Sequence, residues 1–281
     1  MTTTESLQKE QSDYWNGEMG ETWATGQDFF DEMLQPFEAL LVEEVEQLAP
    51  QSVLDVGCGN GSTTLAIKRN LPQQAVCTGI DISKPMLANA RRRAVEQDLD
   101  VQFILADAAA HTFGDDAYDV IASRFGVMFF SDPVAAFANL RHAAAHSASL
   151  RLIVWRSPEE NEFMTAAARA AAPFLPDASP PDPAAPGPFA FGDADRVRSY
   201  LEQSGWGEVD LVPHDVLCAF PEAHLDLFFT KVARLRHDLD QLSDDVRSEV
   251  QQAVRKAYEP YTSDNEVRFT GRCWVIRART L

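Results

Sequence analysis

The spacing of apolar residues changes twice along this chain. Within residues 5–49 it is helical: Met33-Leu34, Phe37, Leu40-Leu41 and Val45 recur three and four positions apart, which predicts an amphipathic helix. Ahead of it, Tyr14, Trp15 and Trp23 place large aromatics in a stretch too polar for a core helix. From residue 53 the pattern becomes strand-like. Short apolar runs at Val53–Val56, Val76–Ile80, Val101–Leu105, Val120–Ala122 and Leu150–Trp155 alternate with helix-like segments. That alternation builds βαβ units and predicts an α/β fold with a parallel sheet. Ser83 before Lys84-Pro85, and Asp132 before Pro133, read as helix starts, a cap followed by proline in the first turn.

Beyond about Glu159 the character shifts again. A helix is expected through Ala166–Ala172. A proline-rich crossing follows, containing Pro176, Pro180, Pro181, Pro183, Pro186 and Pro188, too dense in proline for regular helix and either a lid or a connector. Helices are then expected at Asp193–Ser204, Leu225–Leu239 and Val246–Tyr258, with strands at Val209–Val212 and Arg272–Ala278. This divides the chain into an N-terminal helical cap, 1–49, and one α/β domain, 50–281. The domain comprises a first half at 50–155, an insertion at about 159–192, and completing helices and strands at 193–281.

Composition narrows the function by exclusion. A formal charge of −19 opposes nucleic acid as a partner, because phosphate binding needs basic patches. No apolar run approaches the ~18 residues that span a bilayer. Met1–Glu5 has neither the basic nor the apolar region of a signal peptide, so the default expectation is a cytoplasmic protein away from the membrane, a monomer or homodimer. The four cysteines, Cys58, Cys77, Cys218 and Cys273, are scattered in apolar contexts and read as buried free thiols. His142 and His146 stand four apart on an expected helix, but lack acidic or thiol partners nearby, so no metal site is expected.

The chemistry concentrates at strand ends. Val53-Leu54-Asp55-Val56-Gly57-Cys58-Gly59-Asn60-Gly61 is a buried strand, then a turn that a ligand can approach closely, then a helix opening at Ser62. A dinucleotide fingerprint runs G-x-G-x-x-G, whereas here the third glycine comes one residue early. Asp81 and Asp107 end the next two strands, so Asp55, Asp81 and Asp107 should share one rim of the sheet, where open α/β sheets bind ligands.

At these residues the chain resembles the class I S-adenosylmethionine-dependent methyltransferases. The resemblance implies a Rossmann-like, doubly wound, mostly parallel seven-stranded sheet with an N-terminal helical cap and an insertion after strand five. It also implies S-adenosylmethionine as cofactor. Gly57, Gly59 and Gly61 would pass under the methionyl part and Asp55 would orient its amino end. Asp81 would take the ribose hydroxyls and Ile82 pack on the adenine, with Met86 beside it. Asp107 would accept from the adenine amine while the Ala108 N–H donates to the ring. The run Ser123-Arg124-Phe125-Gly126-Val127-Met128-Phe129-Phe130 is similar to a bacterial ubiquinone/menaquinone-methyltransferase-like subgroup acting on small molecules, as are Trp15-Asn16-Gly17 and Pro188–Phe191.

By that resemblance Ser123 and Arg124 border the methionyl part. Tyr14, Phe125, Met128, Phe129 and Phe189 face a small-molecule acceptor, and Tyr14, Trp15 and Trp23 form a flap whose aromatic faces attract the sulfonium. Where the subgroup has a P-G-G turn before strand five, this chain reads Ala145-His146-Ser147-Ala148-Ser149. His111 and Arg124 are the candidate catalytic residues, His111 as a base shortly after Asp107. The competing readings are a nicotinamide dehydrogenase, disfavoured by the glycine spacing, a nucleic-acid or protein methyltransferase, and a non-catalytic S-adenosylmethionine-binding sensor or subunit.

Overall fold

The computed structural model describes residues 4–114, 117–175, 182, 184–229 and 243–280. Three helices come first: α1 (Thr4–Asn16), α2 (Glu18–Thr25) and α3 (Gln27–Glu46). In α3 the expected apolar stripe is realised and extended, with Phe29, Phe30, Met33, Leu34, Phe37, Leu41, Val42 and Val45 buried. Full burial of each large side chain stabilises by roughly 1.5–3 kcal/mol, so α3 is anchored by its stripe despite Pro36 in its interior. It packs on β4 (Tyr118–Arg124), β5 (Ala144–Trp155), β6 (Trp206–Pro221) and α4 (Ser62–Asn70).

The sheet runs β3-β2-β1-β4-β5-β8-β6, where β1 is Ser52–Val56, β2 Val76–Asp81, β3 Gln102–Leu105 and β8 Glu266–Thr280; the two-residue β7 (Thr262–Ser263) pairs with β8. The first five strands are parallel, and β8 lies antiparallel between β5 and β6. Helices cover both sides, α4 and α5 (Lys84–Glu96) following β1 and β2, with α6 (Pro133–Ala143) against α8 (Ala194–Gln203). The fold is the expected α/β, Rossmann-like one. Strand order reverses between β1 and β4, so their carboxyl ends diverge and leave a crevice there.

Several boundaries differ from expectation. β6 is sixteen residues long rather than Val209–Val212, because it pairs with β8 along almost its whole length. As the sheet edge it alternates buried and exposed positions, and Leu217 is 69% exposed, so the pattern was diluted by polar residues. β8 likewise outruns Arg272–Ala278. β5 begins at Ala144 rather than Leu150, and α6 stops at Ala143. His142 and His146 therefore lie on different elements, both exposed, and are not an i, i+4 pair on one helix. The Ala145–Ser149 segment is taken up as a bulge: pairing jumps from Tyr118↔Ala144 to Val120↔Ser149, with Ser147 at φ 62°.

After β5 come α7 (Glu162–Ala171), α8, the short α9 (Leu225–Leu227) and α10 (Asp244–Tyr258). Pro176, Pro180, Pro181, Pro183, His237 and the rest of the expected Leu225–Leu239 helix lie outside the described residues. Phe163 stacks on Phe269 at 4.0 Å and meets Tyr258 and Phe228 at 5.1 and 5.0 Å, so an aromatic cluster ties α7, β8 and α10 together. All four cysteines are buried and free.

Candidate functional site

The crevice between β1 and β4 opens into a cavity of about 420 Å³. Its floor is the glycine turn. Gly57 has φ +69°, and a Cβ there would stand 2.6 Å from the Gly126 Cα. A Cβ on Gly126 would in turn stand 2.6 Å from the Val56 carbonyl oxygen. Glycines at both positions let the turns after β1 and β4 touch back to back. Ser123 locks this contact from beneath: its Oγ donates to Val56 O at 2.7 Å and accepts from Gly126 N at 3.2 Å. Between them Phe125 is held at φ +63°, a strained conformation for a bulky residue. Its ring is fixed by stacking on Trp155 at 4.2 Å.

Asp81 organises the next strand end. Its Oδ2 accepts from Gly59 N and its Oδ1 from Ser83 N, both at 2.7 Å. Burial pushes the Asp81 carboxyl upward, against the hydrogen bonds from Ser83, Gly59 and Ile82 that pull it down. Asp107 Oδ1 accepts from Ala109 N at 2.8 Å, shaping the turn after β3. Ala108 is buried on the cavity wall and, among the described residues, its N–H has no acceptor. Buried backbone donors are rarely left unpaired, so a ligand acceptor fits here.

The N-terminal helices close over these turns. Asn16 donates to Ile82 O at 2.9 Å and accepts from Lys84 N at 3.0 Å, while Ser83 Oγ donates to Trp15 O at 2.7 Å. Asn60 donates to Trp23 O at 2.8 Å, and Asn89 to Ala24 O at 2.7 Å. Trp15 meets Phe129 edge-on at 5.0 Å and Trp23 stacks on Phe30 at 4.1 Å. Asn16→Ala removes both links to the Ile82–Lys84 turn. At roughly 1 kcal/mol of net stabilisation lost, it is expected to weaken S-adenosylhomocysteine binding about threefold to tenfold and to speed protease cleavage of α1. Unchanged affinity and cleavage would show that the latch does not hold the cap.

The cavity gathers Gly57, Gly59, Asp81, Ile82, Met86, Asp107 and Ala108 along one wall, and Trp15, Trp23, Arg124, Phe125, Met128 and Phe129 along the other. Six predicted residues are not on its surface. Gly61, at φ +77°, packs on Ala90 and Phe103, where a Cβ would come within 2.9 Å of the Ala90 Cβ, so it seats α4 against α5. Ser123 is wholly buried beneath the turn. Asp55 is buried in β1 and accepts from Thr64 Oγ1 at 2.6 Å. His111 lies behind the Asp107 turn, its backbone carbonyl held by Asn139 at 2.9 Å and its ring against Phe113. Tyr14 meets Trp15 edge-on at 5.1 Å, and Pro188 rather than Phe189 reaches the wall.

The sequence reading, which put Phe125–Phe130, the 176–191 segment and the N-terminal helix around the acceptor, did not single out the other residues of the chamber beyond Arg124. Phe30, Met33 and Leu34 of α3, Trp155 of β5, Met164 of α7, Phe228 and Phe269 line it. They come from segments far apart in the chain and carry no local motif; only the helical stripe of α3 offered a signal.

Burial of Asp55 raises its carboxyl from 3.8 to about 7, with Thr64 and Arg124 opposing the shift. The folded state then holds a proton that the unfolded state has released, so this group stabilises below about pH 4 and its contribution is lost as pH rises to about 7. Glu44, held below the usual carboxylate range by Arg277, acts in the opposite sense at lower pH. Asp55→Asn is expected to gain stability relative to wild type as pH rises from 5 to 8. Thermal melts giving parallel curves for both proteins would refute the assignment.

Residues 53–146 match the protein family described as a methyltransferase domain. Over 115 residues the chain is 36% identical to demethylmenaquinone methyltransferase of Thermus thermophilus, covering 41% of this chain and 52% of that protein. It is 29% identical over 116 residues to aklanonic acid methyltransferase DauC of Streptomyces, covering 41% and 53%. The chain thus spans about half the length of these curated relatives. In fold it is similar to the YcgJ protein of Bacillus subtilis, with TM-score 0.58 and 19% identity, over 86% of this chain and 97% of that one.

The match to a methyltransferase domain thus covers β1 to the start of β5, the part of the α/β core that carries the glycine turn, Asp81 and Asp107. The chain is also 29% identical to demethylmenaquinone methyltransferase of Porphyromonas gingivalis, the match covering 32% of this chain and 38% of that protein. No helix among the described residues is long and apolar enough to cross a membrane, and no group of three or more potential ligands that could hold a metal occurs among them.

Proposed function

We propose that this protein transfers the methyl group of S-adenosylmethionine to a small, largely apolar acceptor held in the chamber of Met33, Leu34, Phe125, Trp155 and Phe269. The observation that carries this reading is one continuous cavity. It joins the glycine turn and Asp81 at one end to a chamber walled by apolar side chains from four distant segments at the other. When bound, the cofactor supplies an electrophilic methyl group on a sulfonium.

Asp81 holds the ribose hydroxyls, exchanging the Gly59 N–H for them, and Ile82 packs on the adenine. The Ala108 N–H donates to the ring beside the Asp107 carboxylate. Gly57 lets the methionyl chain lie against the backbone. Asp55, inside the sheet, acts on that turn through Thr64 and the β1 backbone. The helices α1 and α2 exclude water and, through Trp15 and Trp23, place aromatic faces beside the positive charge. Positioning the acceptor within about 3–3.5 Å of the methyl carbon is the principal catalytic contribution.

Calorimetry should find micromolar binding of S-adenosylmethionine and S-adenosylhomocysteine and none of NAD. Labelled cofactor incubated with phenols, quinols, amines and thiols should label at least one of them. Cofactor binding with no labelling across a broad panel would favour the sensor or subunit reading, and binding of NAD alone would end both.

A further inference from the structure

Among the described residues, the cavity wall beside the acceptor chamber carries one charge with no carboxylate partner. Among the described residues, Arg124 is the one basic side chain on the cavity wall, and none of their carboxylates lies within 4 Å of it. Three other part-buried arginines are ion-paired: Arg93 with Asp31 at 2.6 Å, Arg151 with Glu44 at 3.4 Å and Arg156 with Asp215 at 3.0 Å. Burial lowers the proton affinity of Arg124, opposed only at longer range by Glu38, Asp31 and Asp55.

Its neighbours hold it still without neutralising it. Nε donates to Thr63 Oγ1 at 2.9 Å, Nη2 to Ser62 Oγ at 2.8 Å and Nη1 to Leu34 O at 3.4 Å. A guanidinium carries five N–H donors, so two are unspent, both on the terminal nitrogens that a bidentate oxyanion engages. The three oxygens that fix the side chain are all uncharged. Preorganised donors with no charge opposite them form a receptor for an anion.

Chemistry in the same cavity points the same way. The acids there are Asp31, Asp81 and Asp107, and no histidine, lysine or tyrosine joins them among the described residues. Asp31 is engaged by Arg93, and both oxygens of Asp81 take backbone N–H groups. Asp107 follows β3, three strands from Arg124 at the end of β4, which at about 4.8 Å per strand is about 14 Å away. The Cys58 thiol is pushed well above its ordinary range by burial. Among the described residues the chamber has no placed base for a neutral nucleophile.

Resting on the methyl-transfer reading above, we propose that the acceptor is an apolar molecule bearing an oxyanion, seated on the unspent N–H groups of Arg124. It enters already deprotonated, so methylation needs no protein base. In the transfer the acceptor anion forms the bond to the methyl carbon, the carbon–sulfur bond breaks, and its electron pair neutralises the sulfonium. No proton moves in that step. Arg124 stabilises the charged acceptor and orients it towards the glycine turn.

The probes are 2-naphthoate and its neutral isostere 2-naphthamide, titrated calorimetrically into protein loaded with S-adenosylhomocysteine. Wild type is expected to bind the acid at least about tenfold more tightly than the amide, as a charged hydrogen-bonded pair demands. Arg124→Met should bring the two within twofold of each other and Arg124→Lys should restore part of the preference. The S-adenosylhomocysteine affinity of each variant is measured beside it. A wild-type protein that binds neither probe, or both equally, overturns the proposal without needing a folded variant.

The methionyl carboxylate is the rival source of the same chemistry. If Arg124→Met weakens S-adenosylhomocysteine tenfold but leaves 5′-methylthioadenosine unchanged, Arg124 serves the cofactor and the proposal fails. Should S-adenosylhomocysteine not bind wild type at all, the methyltransferase reading falls instead. The acid-against-amide comparison on the unloaded protein then still decides whether Arg124 is an anion receptor.

Discussion

Replacing Gly57 or Gly126 by alanine is expected to lower the melting temperature by about 10 °C, corresponding to about 3–5 kcal/mol. The new methyl at Gly57 would sit 2.6 Å from the Gly126 Cα, and that at Gly126 2.6 Å from the Val56 carbonyl oxygen. Both obstructing atoms are backbone, held by two adjacent strands of the sheet, so neither can yield by rotating a side chain. Gly57 adds the cost of a positive φ. Gly59 is the internal control. It too has a positive φ, but its nearest neighbour would be the flexible Met86 sulfur at 3.6 Å. Gly59→Ala should therefore cost only about 1–2 kcal/mol. Equal melting temperatures for Gly57→Ala and Gly59→Ala would show that the two turns are free to separate.

Asp81→Ala carries the largest expected effect on ligand binding, a loss of about 100-fold in S-adenosylhomocysteine affinity, equal to about 3 kcal/mol. A carboxylate accepting from two hydroxyls makes charge-assisted bonds, and the same group already orders Gly59 and Ser83. Asp81→Asn keeps one acceptor oxygen and the side-chain shape. It should retain the wild-type melting temperature within a few degrees while still losing most of the affinity. Affinity within threefold of wild type in a folded Asp81→Asn protein would remove the ribose assignment. Because 5′-methylthioadenosine carries the same ribose, its affinity should fall in parallel.

The β1–α4, β2–α5 and β4–α6 units were legible in the sequence because each is local. Apolar runs, a proline after a cap and glycines at fixed offsets are decided within about twenty residues. The long edge strand was not legible. β6 is strand as far as Pro221 because β8 pairs with it, and that partner lies some fifty residues on. His111 shows the same limit at the site. Its position shortly after Asp107 suggested the rim, yet one turn beyond the strand end is enough to carry it behind Asn139 and away from the cavity. Gly61 and Ser123 were singled out by motif but act underneath, the first against Ala90 and the second against Val56.

The sequence by itself determined the order of strands and helices up to β5, and the presence of a glycine turn followed by Asp81 and Asp107 at successive strand ends. Period and turn chemistry are short-range properties, and they are written in consecutive residues. Tertiary structure alone decided which of those residues face a common space. It turned Asp55, Ser123 and His111 away, brought Met164, Phe228 and Phe269 in, and left Arg124 on the cavity wall with no carboxylate beside it among the described residues. Unpaired charge is a property of the surroundings, and the surroundings of Arg124 come from α3, α4 and β4 together.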